Sequence, residues 1–293
     1  MQLLGSIRVG NALGEGALWD AEAQALWWTD IEERKLFRYD WRGRSLGQYA
    51  LPERLGSFGF VRNSEELVAA FETGFAFFSP ARNTASWLKR IDGLGHGMRF
   101  NDGRVDCRGR FWAGTMAETE ADTGNAELYC LTGDGSVHRR ERGLTVSNGL
   151  CWSPDGRVMY LADSPRHAIW CYDFEAETGC ISNRRTFAAT PADAFPDGAT
   201  VDSEGFLWSA QWGAGRVVRY APNGGIERIV EVPASQPTCV AFGGPDMDLL
   251  FVTSARDGLG EEALRSQDGA GDVFVYRSDV KGLPEPQFHA ARV

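Results

Sequence analysis

Four short strings in this 293-residue chain carry an oxygen-bearing side chain at a matched position. They are Leu13-Gly14-Glu15-Gly16, Phe100-Asn101-Asp102-Gly103, Ser147-Asn148-Gly149 and Pro196-Asp197-Gly198, with a glycine one or two residues after the carboxylate or carboxamide. Taken singly, Asn-Gly and Asp-Gly are turn dipeptides. Four at one register of a repeat point to a site, because two buried acids facing each other repel unless something positive lies between them. A divalent cation bound by Glu15, Asn148 and Asp197 meets that need. Oxygen-only ligands suit hard ions, Ca²⁺ first by ligand type, with Mn²⁺, Mg²⁺, Zn²⁺ or Fe²⁺ as alternatives. Three protein ligands leave coordination places for water or substrate, the mark of a catalytic centre. Asp197, a ligand that also faces the opening, is the candidate general base.

Other chemistries find less support. The four histidines (His96, His138, His167, His289) are scattered, and the six cysteines include no C-x-x-C pair, so a Cys/His zinc site is not expected. Ser147 has no histidine in a recognisable partnership, so a serine hydrolase is not expected either. The thiols should be free in a chain of this size without a secretory leader. The first residues, Met1-Gln2-Leu3-Leu4-Gly5-Ser6, lack the apolar run of a signal peptide, and a cytoplasmic location is expected. A formal net charge of -10 argues against nucleic acid or an anionic membrane as partner, and no stretch approaches the ~20 apolar residues of a bilayer span.

The elements that must position these residues are visible as a repeat. One unit reads Ala17-Leu18-Trp19-Asp20, Ala25-Leu26-Trp27-Trp28-Thr29-Asp30, then Lys35-Leu36-Phe37-Arg38-Tyr39-Asp40. Matching units begin at Asn148 and Asp197, and weaker ones near Ser57, Asn101 and Thr238. Each is a string of short β-type runs separated by turns such as Pro154-Asp155-Gly156. Corresponding positions recur every 40 to 50 residues, the period of a four-stranded propeller blade, and six such units fill the chain. An all-β, six-bladed propeller spanning 1–293 as one domain is therefore expected, with almost no helix. The segment around Ile7-Arg8-Val9 should close the ring against the last blade. The starts of the inner strands then converge on one central mouth, bringing Glu15, Asn101, Asn148, Asp197 and Thr238 together, with Ser57 the least clear member. Trp27, Trp112 and Trp208 recur at one blade position and are expected in the core. Trp212, before Gly213-Ala214-Gly215, is a candidate for the pocket wall. His167, in a hairpin turn, is expected to be exposed.

An ordered series of motifs carries a family resemblance. Gly14-Glu15-Gly16, Met98-Arg99-Phe100-Asn101-Asp102-Gly103, Phe111-Trp112-Ala113-Gly114-Thr115-Met116, Ser147-Asn148-Gly149-Leu150, Pro196-Asp197-Gly198 and Thr253-Ser254-Ala255-Arg256-Asp257-Gly258 resemble the regucalcin/gluconolactonase family of sugar lactonases. The resemblance implies a six-bladed propeller with a metal on Glu15, Asn148 and Asp197, and substrate contacts from Arg99 and Asn101. A guanidinium and a carboxamide suit the hydroxyls and ring oxygen of a polyol lactone. A further family contact is an acid just after the Gly-Thr-Met motif. Here Thr119 stands at the acidic position, flanked by Glu118 and Glu120, and Glu118 is taken as the substrate-side acid.

The expected activity is metal-dependent opening of aldono-lactones to aldonic acids, with a small sugar lactone as partner. A phosphotriesterase- or aryl-esterase-like hydrolase on the same propeller is one alternative. A calcium-binding or protein-interaction propeller without turnover is the other.

Overall fold

The computed structural model describes residues 1–291. Six four-stranded antiparallel sheets follow one another along the chain, each meandering from an inner to an outer strand. The inner strands are Gly14–Asp20, Leu55–Phe60, Met98–Val105, Ser147–Trp152, Phe195–Val201 and Pro237–Gly243, for blades 1 to 6. Each touches the next, and the sixth returns to the first, so they enclose an axis. A closed ring suits this sequence because it leaves no inner sheet edge unpaired.

Ring closure is made by Gln2–Ile7, which adds the outer strand of blade 6 by pairing antiparallel with Val273–Arg277. The strand lies slightly earlier than expected. Arg8 turns to Asp268, and the amides of Val9 and Gly10 bond Asp272, so these residues leave the sheet. Among the described residues helix is confined to Glu261–Ser266 and two three-residue 3₁₀ turns. No described helix is long and apolar enough to cross a membrane.

The alternation of strand side chains puts one set of residues between blades, and six apolar clusters fill the six blade interfaces. Trp112 and Trp208 are fully buried there and Trp27 nearly so, as the repeat predicts. Two of these tryptophans also have a polar tether. Trp112 Nε1 donates to Asp106 (2.8 Å) and Trp208 Nε1 to Asp202 (2.8 Å), the same six-residue spacing in blades 3 and 5. Burying an indole with its N–H paired avoids the cost of an orphaned donor. All six cysteines are free, four of them buried.

A C-terminal strap crosses the far end of the propeller. Its backbone bonds Ser203, Met247, Phe60, Gly109 and Gly133 in turn, all on loops or strand ends away from the start of the inner strands. Glu285 on this strap reaches the guanidinium of Arg104, 3.6 Å away, on the inner strand of blade 3.

Candidate active site at the mouth of the propeller

Every inner strand breaks register at one place. The irregularity falls just after Glu15, Asn148 and Asp197 or their neighbours in blades 1, 4 and 5, and at the equivalent places in blades 2, 3 and 6. A bulge re-aims the side chain beside it, and bulges are frequent next to active sites. Glycine is required at two of these breaks: Gly16 and Gly149 both sit at φ +61°, where a side chain would be strained. The glycines that mark the motifs in sequence therefore turn the chain so that the preceding residue points at the axis.

Two aspartates fix the height of the strands. Asp30, at the end of the second strand of blade 1, accepts from the amides of Ala12 (2.8 Å) and Leu13 (3.1 Å). Asp163 does the same in blade 4 for Thr145 and Val146, both at 3.0 Å. Each clamp sits just upstream of a proposed metal ligand. The repeated Thr29-Asp30 and Ala162-Asp163 pairs were legible as part of the repeat, but their role was not.

Glu15, Asn148 and Asp197 meet as expected, all at most 7% exposed. Asn148 is held from both sides: its Oδ1 accepts from Asn101 Nδ2 (2.9 Å) and its Nδ2 donates to Ser164 Oγ (2.8 Å). Ser164 Oγ in turn donates to the carbonyl of Pro196 (2.7 Å), tying blade 4 to the strand that carries Asp197. Ser57 and Thr238 complete the ring; Thr238 hydrogen-bonds Thr253 and the carbonyl of Gly14, while Ser57 Oγ has no partner among the described residues.

The electrostatics of the two acids are those of a site built for positive charge. Burial, with Asp102 nearby, pushes Glu15 up to about 8. Asp197 is raised well above the carboxylate range, first by burial and then by Glu15 itself. The two carboxyls interact directly, so ionising one disfavours ionising the other. Two carboxylates and a carboxamide whose oxygen retains a lone pair form a donor set that fits a hard divalent cation. Among the described residues no three His, Cys, Asp or Glu side chains cluster as a metal site, in keeping with a trio whose third member is an asparagine.

Arg99 is buried at 4% exposure rather than held in a surface ion pair. Its Nη1 donates to Asn101 Oδ1 (2.8 Å) and to the carbonyl of Phe100 (3.0 Å). Asn101 Nδ2 spends its second hydrogen on the carbonyl of Ser147 (3.0 Å). Arg99, Asn101, Glu15, Asn148 and Asp197 all line one pocket of about 310 Å³. Glu118 does not line it. Both its oxygens accept from Arg54, at 2.6 and 3.0 Å, and Oε1 lies 3.4 Å from Arg99 Nε. Burial raises the Glu118 carboxyl, but the two arginines outweigh it and hold the group low. Arg54 also forks onto Glu72, at 2.9 and 3.0 Å. Nothing in the local sequence marks Arg54, which comes from blade 2, as part of this cluster. Glu120 lies in an exposed 3₁₀ turn.

Trp212 does line the pocket, from the end of a strand where it pairs across to Phe195. His167 is half-buried, not exposed: its Nδ1 meets the carbonyl of Ala194 at 3.1 Å and its ring packs on Phe195, centroids 4.7 Å apart. One string, Gly43-Arg44-Ser45-Leu46-Gly47, has the G-x-S-x-G spacing of a nucleophile elbow. Ser45 starts the exposed outer strand of blade 1, so the string is a hairpin turn and not a strand-to-helix elbow.

Fold and site define a six-bladed propeller with an acid- and amide-lined pocket where the inner strands begin. The chain belongs to the SMP-30/Gluconolactonase/LRE-like region family, which matches residues 13–256. Among its relatives is the 6-deoxy-6-sulfogluconolactonase of Pseudomonas putida, 36% identical over 284 residues, covering 96% of this chain and 97% of that one. The L-arabinolactonase of Azospirillum brasilense is 37% identical over 281 residues, covering 95% and 92%. The crystal structure of a calcium-binding protein, regucalcin, from Agrobacterium tumefaciens superposes with a TM-score of 0.92 at 30% identity, covering 100% of this chain and 97% of that one.

Proposed function

We propose that this chain is a divalent-metal-dependent sugar lactonase that opens aldono-lactones to aldonic acids in carbohydrate breakdown. The observation that carries the reading is the pair of buried acids, Glu15 and Asp197, facing each other beside Asn148 in a pocket that also holds Arg99. Lactonase relatives covering nearly the whole chain support the reaction class. The calcium-binding neighbour supports Ca²⁺ as the ion. Six free thiols support a cytoplasmic setting.

Glu15, Asn148 and Asp197 would hold a divalent cation, which would supply Lewis-acid polarisation of the lactone carbonyl and the positive charge that keeps both acids ionised. Asp197 takes a proton from the attacking water as it adds to the carbonyl carbon, and returns that proton to the ring oxygen as the acyl–oxygen bond breaks. Arg99, through the donor nitrogen it has not spent on protein, and Asn101, through its remaining acceptor lone pair, orient the substrate. Glu118 acts one step back, fixing Arg99 while Arg54 fixes Glu118.

The test is hydrolysis of a panel of pentono- and hexono-lactones beside an aryl ester and a phosphotriester, with each metal added to chelated protein. Lactone turnover restored by metal is expected. Full lactone turnover in verified metal-free protein would remove the mechanism, and turnover of the aryl ester or phosphotriester alone would move the enzyme to another substrate class.

A further inference from the structure

Side chains two apart on a strand share a face, so the residues two before the site residues form a second ring just above it. Read off the inner strands and their leads, that ring is Leu13, Leu55, Arg99, Val146, Phe195 and Gln236. Four of these line the pocket, and of those only Arg99 is polar. Met116 and Trp212 join them from second strands, Met116 bridged to Val146 and Trp212 paired with Phe195. The pocket therefore has a polar floor and a wall that is apolar except at one guanidinium.

The polar groups of the floor are largely consumed by one another. Both hydrogens of Asn101 Nδ2 go to Ser147 and Asn148, and the Ser164 hydroxyl hydrogen goes to Pro196. Arg99 spends Nη1 on Phe100 and Asn101, while its buried Nε makes no hydrogen bond and lies 3.4 Å from Glu118, so Nη2 is the nitrogen left for a ligand. The next cation outward, Arg54, is answered by Glu72, Glu118 and Glu32. A ligand carrying a hydroxyl on every carbon would press some of them, without partners, against Val146, Phe195 and Trp212, at the cost of their hydration. A ligand carrying a negative charge would meet no cation without an acid already beside it. The volume, about 310 Å³, is at the small end for ligand pockets.

We propose that the substrate is an uncharged lactone whose end remote from the carbonyl is a methyl or short alkyl group: a terminally deoxygenated sugar lactone. This rests on the lactonase reading and narrows it. It also separates this chain from the Pseudomonas putida relative, whose name specifies a sulfonated sugar lactone.

The experiment compares kcat/KM of the metal-supplemented full chain on three lactones of one ring: a hexono-lactone, its 6-deoxy counterpart and its 6-sulfonated counterpart. The 6-deoxy lactone should exceed the parent by roughly tenfold, the scale of discrimination an apolar pocket gives for one group, with the sulfonate slowest. Val146→Thr, nearly isosteric, and Phe195→Ser place hydroxyls in the wall and should shrink the deoxy-to-parent ratio towards one. A parent or sulfonated lactone turned over as well as the 6-deoxy lactone would overturn the inference while leaving the lactonase reading intact. A ratio unmoved in both variants would overturn it too, since the wall would not be what reads the substrate. No turnover of any lactone would remove both.

Discussion

The two ends of the propeller axis bury acids in opposite ways. At the far end Glu285, on the C-terminal strap, has a side chain only 10% exposed, with Arg104 3.6 Å away. Burial still pushes its carboxyl up, and Arg104 pulls back only part of the shift. At the mouth Glu15 and Asp197 face each other, and the nearest guanidinium, Arg99, is turned to Asn101 and Glu118 instead. One end carries its counter-charge in the chain. The other carries none facing its two acids, and the cation proposed there would join function to stability. A structural ion pair and a metal site are the same electrostatic problem with the positive charge supplied from inside or from outside.

The largest expected effect follows from the mouth. In metal-free protein Glu15 titrates near 8 when folded against 4.5 as the ordinary value, so the folded state holds the proton more tightly than the unfolded chain. Stability is then greatest below about 4.5 and is lost as pH rises through about 8. The loss should be on the order of a few kcal/mol. Urea unfolding midpoints from pH 5 to 9, with and without divalent metal, check this. The metal-loaded protein should stay nearly flat, and an equally flat metal-free profile would mean the two acids do not repel as described.

Breaking the other end should cost stability and leave chemistry alone. Glu285→Gln takes from the buried Arg104 its main counter-charge and leaves the weaker pull of Asp102, and should destabilise by about 3 kcal/mol, low in the range for broken buried pairs. Lactone kcat and KM should not move. A changed kcat would show that the two ends are coupled through the inner strand of blade 3. Next in size is Asp197→Asn, which keeps an oxygen ligand but removes the charge and the proton acceptor. With bound metal quantified, kcat should fall by roughly 10²-fold or more. Near-normal kcat in the metal-loaded variant would leave the cation alone to activate water.

What could be read from the sequence follows the range of each interaction. The blades and the ring of Glu15, Asn101, Asn148 and Asp197 were legible because a repeat writes the same local structure six times, and aligning copies converts sequence distance into spatial neighbourhood. The wall was half-legible: Leu13, Val146 and Phe195 follow from the two-residue period once the site register is known. The half-burial of His167 was not legible, because the hairpin that carries it gives no sign that Phe195 of the next blade covers its ring. Arg54 was invisible. It stands 64 residues from Glu118 with no motif around it, and a cross-blade ion pair leaves no periodic trace.

Arg54 provides the smallest and most discriminating prediction. Its side chain is 16% exposed and forks onto both Glu72 and Glu118, yet it lines no part of the pocket. If it works by holding Glu118 against Arg99, Arg54→Gln should loosen the orientation of Arg99 and raise KM for a sugar lactone. A half-buried ion pair is worth at most about 1 kcal/mol, so the rise should be about fivefold, with kcat nearly unchanged. Arg99→Ala should raise KM further, because it removes the contact itself. Arg54→Lys should not rescue, since a lysine cannot offer the two parallel donors that Glu118 now accepts. Glu118→Gln should reproduce the effect of Arg54→Gln, and the double variant should be no worse than either alone, because both act along one chain of contacts. A merely structural role would show itself differently, as a lowered unfolding midpoint with KM unchanged. Additive losses in the double variant would instead mean that Glu118 touches the substrate on its own account, as the position of the acid in the sequence first implied.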